Sequence, residues 1–153
     1  MCIRDRYYEY LLFYYASSLN ELGKLKEAEK ALKDILDYQD TPTTENNFAK
    51  ALLGTLHAQK GQHELARELI KQAIDETQHL NVGIDPQVNA YLSLAKLELM
   101  EDNPTSSIEN LDYVFELYEK EKLPIEEEEI FATMSRALER LSLIHISEPT
   151  RPY

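Results

Sequence analysis

The 153-residue chain carries 28 acidic and 16 basic residues for a net charge of −12, with four glycines, no tryptophan and one cysteine. Abundant Ala, Leu, Glu and Lys point to helices in one domain long enough to bury a core, and no apolar run is long enough to span a bilayer. The acidic balance argues against nucleic acid and anionic lipid, whose phosphates need clustered Lys and Arg, and it favours solubility and a basic partner.

In chain order, the first segment, Met1-Cys2-Ile3-Arg4-Asp5-Arg6, answers to the last, Leu141 to Tyr153. Back-translated as ATG TGT ATA AGA GAC AG, the opening has the reverse complement CTG TCT CTT ATA CAC AT. That string encodes Leu141 to His145 and begins Ile146. The two ends resemble one DNA element in opposite orientations, similar to the transposon-end adapter used in sequencing libraries, and Ser147 to Arg151 resembles its flanking primer. Residues 1–6 and 141–153 are therefore expected to be adapter-derived scars, set aside from fold reasoning. Cys2 and His145 go with them, so residues 7–140 contain no cysteine for a disulfide, thiolate site or nucleophile. They hold 13 basic and 26 acidic residues, a net charge of −13. The chain is expected to be cytoplasmic and bacterial.

Within 7–140 the periodicity predicts seven helices, at about Tyr7–Leu22, Leu25–Tyr38, Thr43–Lys60, His63–Leu80, Pro86–Met100, Pro104–Glu121 and Pro124–Arg140. Gly23 and Gly61 suit left-handed helix ends, and Asp102-Asn103-Pro104 offers a cap with proline in the first turn. Thr41-Pro42 and Asp85-Pro86 read as cap and first-turn pairs, and Asn81-Val82-Gly83 as the stop of the fourth helix. Tyr7, Tyr8, Tyr10, Phe13, Tyr14 and Tyr15 lie all round the first helix, a distribution that implies burial on both sides. No Lys or Arg interleaves them, as base stacking would require. Glu126 to Glu129 fall in the first turns of the last predicted helix, where carboxylates suit the dipole.

A repeat underlies this order. Large-then-small pairs, Tyr15-Ala16, Leu53-Gly54, Leu94-Ala95 and Met134-Ser135, recur at intervals of 38, 41 and 40 residues. The helices between them carry Ala28, Leu32 and Ile35; Ala66, Ile70 and Ala73; and Ser107, Leu111 and Val114, each set spaced four then three on one face. These features resemble the tetratricopeptide repeat family, whose usual period is about 34. The resemblance implies an all-α solenoid of antiparallel helical hairpins, about three and a half repeats at about 9–42, 47–80, 88–121 and a truncated 128–140. Stacked hairpins bury a stripe that no hairpin buries alone.

In that family the first helices line a concave surface where peptides bind. Carried onto this chain, the partner-facing positions are Tyr10, Phe13, Ser17 and Asn20; Phe48, Ala51, Thr55 and Ala58; and Asn89, Leu92, Lys96 and Leu99. They predict an apolar groove with a few polar handles for a peptide or helix. One variant of the family grips a C-terminal carboxylate with Lys, Asn and Arg, and Phe13 and Ser17 depart from it. The implied function is protein–protein interaction, with no enzyme activity, cofactor or metal. The alternative is a sensor or coupling region of a larger bacterial signalling protein or transcription regulator, which long repeats of this kind also resemble. His57 and His63 are six apart across a turn, and His79 stands alone, so no metal-ligand spacing exists. No Gly-rich phosphate loop, nucleophile elbow or metalloprotease motif is present.

Overall fold

A computed structural model of the chain describes residues 3–38, 43–80 and 83–147, with side chains for 7–145 of these. The described residues form seven α-helices and no strand: α1 Ile3–Glu21, α2 Leu25–Tyr38, α3 Thr44–Gln59, α4 His63–Thr77, α5 Asp85–Met100, α6 Pro104–Glu121 and α7 Glu128–Ser147. The fold is all-α, and no described helix is long and apolar enough to cross a membrane.

One turn device recurs. Gly23, Gly61, Asp102 and Lys122 all adopt positive φ, at 73°, 79°, 61° and 54°. After each, the next amide donates back to a carbonyl five residues earlier: Lys24 to Leu19 at 2.9 Å, Gln62 to His57 at 2.9 Å, Asn103 to Glu98 at 2.8 Å and Leu123 to Tyr118 at 3.0 Å. This bonding satisfies carbonyls that the helix end would otherwise orphan. Aspartate can replace glycine here because its short polar side chain tolerates the left-handed region. At the first three turns the next helix starts at once, giving the hairpins α1–α2, α3–α4 and α5–α6.

Several boundaries differ from the sequence reading. Thr43 caps α3 by accepting from the Asn46 amide at 3.1 Å, while Thr41 and Pro42 lie outside the described residues. Asp85 is the first residue of α5, not its cap, and Ile84 precedes it without a side-chain bond. The helix α4 stops at Thr77, not Leu80, where the Thr77 hydroxyl donates to the Ile74 carbonyl at 2.6 Å and the turn tightens. Asn81 and Val82 are outside the described residues. Pro124, Glu126 and Glu127 stay outside α7, which begins at Glu128 and runs on to Ser147; α1 likewise starts at Ile3. The α1 tyrosines are not enclosed: Tyr7, Tyr8, Tyr10, Tyr14 and Tyr15 are all exposed. Phe13 is half-buried, its ring 5.6 Å from that of Phe48.

Each helix packs on the next. In addition α1 touches α3, α3 touches α5 and α5 touches α7, whereas no two of α2, α4 and α6 meet among the described residues. The odd-numbered row is thus the more closely packed one. Ala28, Leu32, Ile35, Ala66, Ile70, Ala73, Ser107, Leu111 and Val114 are all buried, so each even helix spends its one apolar stripe on the odd row. Each large aliphatic among them contributes about 1.5–3 kcal/mol by leaving water. Ala16, Gly54 and Ala95 are buried at the crossings, and Ser135 is exposed. Asn47, wholly buried, donates its amide to the Ala73 carbonyl at 2.6 Å, and Ser107 donates to the Ala95 carbonyl at 2.8 Å. These bonds hold α3 to α4 and α6 to α5.

Candidate functional site

The row of odd helices leaves a groove of about 570 Å³ that draws on no even helix. Its lining comes from Phe13, Ser17, Asn20 and Glu21 of α1, and from Leu52, Thr55 and Gln59 of α3. Further along, α5 supplies Asn89, Ser93, Lys96, Leu99 and Met100, and α7 supplies Glu129, Thr133, Arg136 and Arg140. The size falls within the range of about 300–1,000 Å³ typical of ligand pockets.

The positions follow from helix geometry. Ser17, Thr55, Lys96 and Arg136 each directly follow the small residue of the crossing, Ala16, Gly54, Ala95 or Ser135. In an α-helix the next residue is turned by about 100°, away from the hairpin partner and into the groove. Steps of three and four extend this stripe to Leu52 and Gln59 on α3, Asn89, Ser93 and Met100 on α5, and Glu129, Thr133 and Arg140 on α7.

Seven of the twelve predicted partner-facing residues line the groove: Phe13, Ser17, Asn20, Thr55, Asn89, Lys96 and Leu99. The other five do not. Ala51, Ala58 and Leu92 are core, Ala51 against Ala73 and Ala90, Ala58 against Ala66 and Ile70, and Leu92 against Val88 and Leu111. Phe48 packs on Phe13, and Tyr10 is exposed with its ring 4.6 Å from that of Tyr14. With the alanines and Leu92 removed, the groove is of mixed character, with slightly more apolar than polar surface. Its apolar patch is Phe13, Leu52, Leu99 and Met100, and amides, hydroxyls and charges make up the rest. The missed residues, Gln59, Ser93, Arg136 and Arg140 among them, were within reach of the sequence through the column that follows the small residues.

Charge is unevenly distributed. Arg136 makes no ion pair among the described residues, Arg140 pairs with Asp102 at 3.0 Å, and Lys96 pairs with Glu129 across α5 and α7. Both pairs have an exposed partner and add little stability. Behind the groove, Arg67 of α4 donates to Glu98 of α5 at 2.6 Å and also pairs with Glu101. The bond to Glu98 raises the pKa of the guanidinium above its already high value, against the opposing effect of burial, so Arg67 stays charged. It locks the α4–α5 junction on which the middle of the groove rests.

The hydroxyls of Thr55, Ser93 and Thr133 donate to carbonyls four residues back on their own helices, at 3.1, 2.9 and 2.7 Å. None of the three meets a base that could activate it as a nucleophile. No histidine or cysteine lines the groove, and among the described residues no group of three or more His, Cys, Asp or Glu is placed to hold a metal ion. His57 instead bonds Gln62 at 2.6 Å and His63 lies 3.6 Å from Glu101. No protein-family model matches the chain, and a search of curated proteins finds no match.

Proposed function

We propose that residues 7–140 form a tetratricopeptide-like solenoid, an interaction module and not an enzyme, which binds an extended peptide of a protein partner in the groove of the odd helices. One observation carries the reading. Asn20, Gln59 and Asn89, one side-chain amide from each of three successive odd helices, line the same groove beside the patch of Phe13, Leu52, Leu99 and Met100. A side-chain amide offers both donor and acceptor, the complement of a peptide unit in an extended chain. Spaced amides therefore hold the backbone, and the patch and the Arg136–Arg140 end select side chains. The recurrence at 38, 41 and 40 residues, the hairpins and the contacts between successive odd helices support the solenoid.

The test is selection from a random peptide library on the full chain. Peptides recovered on the parent should bind Thr55→Trp at least about tenfold more weakly, because a large ring there fills the groove without touching the core. Lys30→Glu, on the exposed side of α2, should bind as the parent does. Failure to select any peptide, or equal binding by Thr55→Trp, would refute the proposal.

A further inference from the structure

The groove reverses the charge balance of the chain around it. Residues 7–140 hold 13 basic and 26 acidic residues, yet the lining has three cations, Lys96, Arg136 and Arg140, against two carboxylates, Glu21 and Glu129. The signs are also separated along the row. All three cations stand on α5 and α7, where Lys96 offsets Glu129, while the part lined by α1 and α3 has Glu21 and no cation. Arg136 is exposed and makes no ion pair among the described residues. Arg140 bonds Asp102 at 3.0 Å through one of its nitrogens, in a pair exposed on both sides, so its other donors remain open to a ligand. Residues four apart on one helix face have Cβ atoms about 5–6 Å apart. Two guanidinium groups thus converge on one position at the α7 end of the groove.

We propose that the partner's peptide carries an acidic side chain, Asp or Glu, at the end lying over α7, and that Arg136 and Arg140 seat it. The inference rests on the reading of the groove as a peptide site and adds the charge of the ligand and its direction. The planar forks of arginine match a carboxylate and bond it more strongly than a neutral acceptor. Glu21, exposed at the other end of the groove, repels the same side chain. An acidic residue near one end of the segment therefore fixes which way the peptide runs across the odd helices. A nucleic acid does not suit the site. It needs a cation for each of several phosphates, whereas Lys96 and Arg140 are already paired and the acidic chain repels a polyanion. One carboxylate needs only the position that the two arginines share.

The test is selection on the full chain from a library of peptides whose random positions lie between fixed, blocked ends, so that no terminal carboxylate takes part. Peptides that bind the parent and are weakened by Thr55→Trp should be enriched in Asp or Glu at one end of the random segment. Changing that residue to Asn or Gln should weaken binding to the parent about three- to tenfold. The same change should not weaken binding to the double variant Arg136→Gln, Arg140→Gln. Selection on Arg136→Glu with Arg140→Glu should return Lys or Arg in the same place. Lys30→Glu, which alters the charge of α2 away from the groove, should still return Asp or Glu. The three substituted sites are exposed, so these variants keep the parent's helical circular dichroism. Groove-dependent peptides without acidic enrichment, or an acidic residue that matters equally without the arginines, would overturn this inference and leave the peptide groove standing. An oligonucleotide that displaces the peptide at physiological salt would overturn it too, by assigning the arginines to phosphate. Recovery of no peptide, or of none that Thr55→Trp weakens, would refute the groove reading and this inference with it.

Discussion

Replacing Gly54 with alanine adds a single methyl group at the α3–α4 crossing, where the new Cβ would stand 2.7 Å from Ile70 Cγ1, 3.1 Å from the Ala66 carbonyl oxygen and 3.3 Å from Ile70 Cδ1. Carbon atoms prefer about 3.5–4.0 Å. The carbonyl is helix backbone and cannot rotate away, and Ile70 is wholly buried with no free space to enter. Overpacking of this kind costs about 1–3 kcal/mol. Alanine recovers about 0.8–1.0 kcal/mol through its better helix propensity. The remainder is a destabilisation of about 1 kcal/mol, which lowers Tm by about 2–4 °C in a chain of this length. Thermal and urea unfolding followed by circular dichroism measures it, and a double-mutant cycle with Ile70→Ala locates it. Alone, Ile70→Ala loses about 2–5 kcal/mol to its cavity. In the Gly54→Ala background it should lose less by about 1–2 kcal/mol, because the clash is relieved and the new methyl occupies part of the space. Gly61 is the control. Nothing lies within 4 Å of a Cβ there, and its φ of +79° alone penalises alanine, so Ile70→Ala should not relieve Gly61→Ala. Unchanged or raised stability in Gly54→Ala, or additive effects in the cycle, would refute this account of the crossing.

Two further perturbations test the electrostatics. Lys33 and Lys60 bond the Glu29 carboxylate and hold its pKa down to about 2 from an ordinary 4.5. A depressed carboxylate pKa stabilises above the unfolded value and loses that contribution as pH falls through the folded one. Stability of the parent should therefore fall more steeply between about pH 4.5 and 2 than that of Glu29→Gln, and salt should narrow the difference; parallel pH curves would sink the assignment. Arg67→Met strips both Glu98, which is buried, and Glu101 of their cation. The loss should be of order 3 kcal/mol in urea unfolding, and adding Glu98→Gln should restore part of it; no restoration would mean that lost packing, not an unpaired carboxylate, dominates.

Much of the fold was legible because helices are decided locally. Four-then-three spacing in α2, α4 and α6, glycine at two turns and proline at the start of α6 placed α2 and α6 residue for residue and fixed where α4 begins. The end of α4 and the start of α7 were not legible, since Thr77 has a local bond that competes with the helix and residues 123–127 are not helical despite Pro124. The groove was half legible. Ser17, Thr55 and Lys96 follow from their place beside a small residue, but Ala51, Ala58 and Leu92 are one helical step away, and that step separates a groove wall from a core.

What the chain determines by itself is the rhythm: which residues share a helical face, where the backbone must turn left-handed, and how often the pair of helices recurs. These are matters of spacing and of φ, set within a few residues of each other. Which face becomes interior is settled only when helices meet. Odd helices are covered on several sides and even helices on one, so the same apolar residue is core in one row and surface in the other. The contrast is plainest at Ala95 and Ser135, equivalent in spacing and opposite in burial. One is crossed by α6, and among the described residues nothing crosses the other.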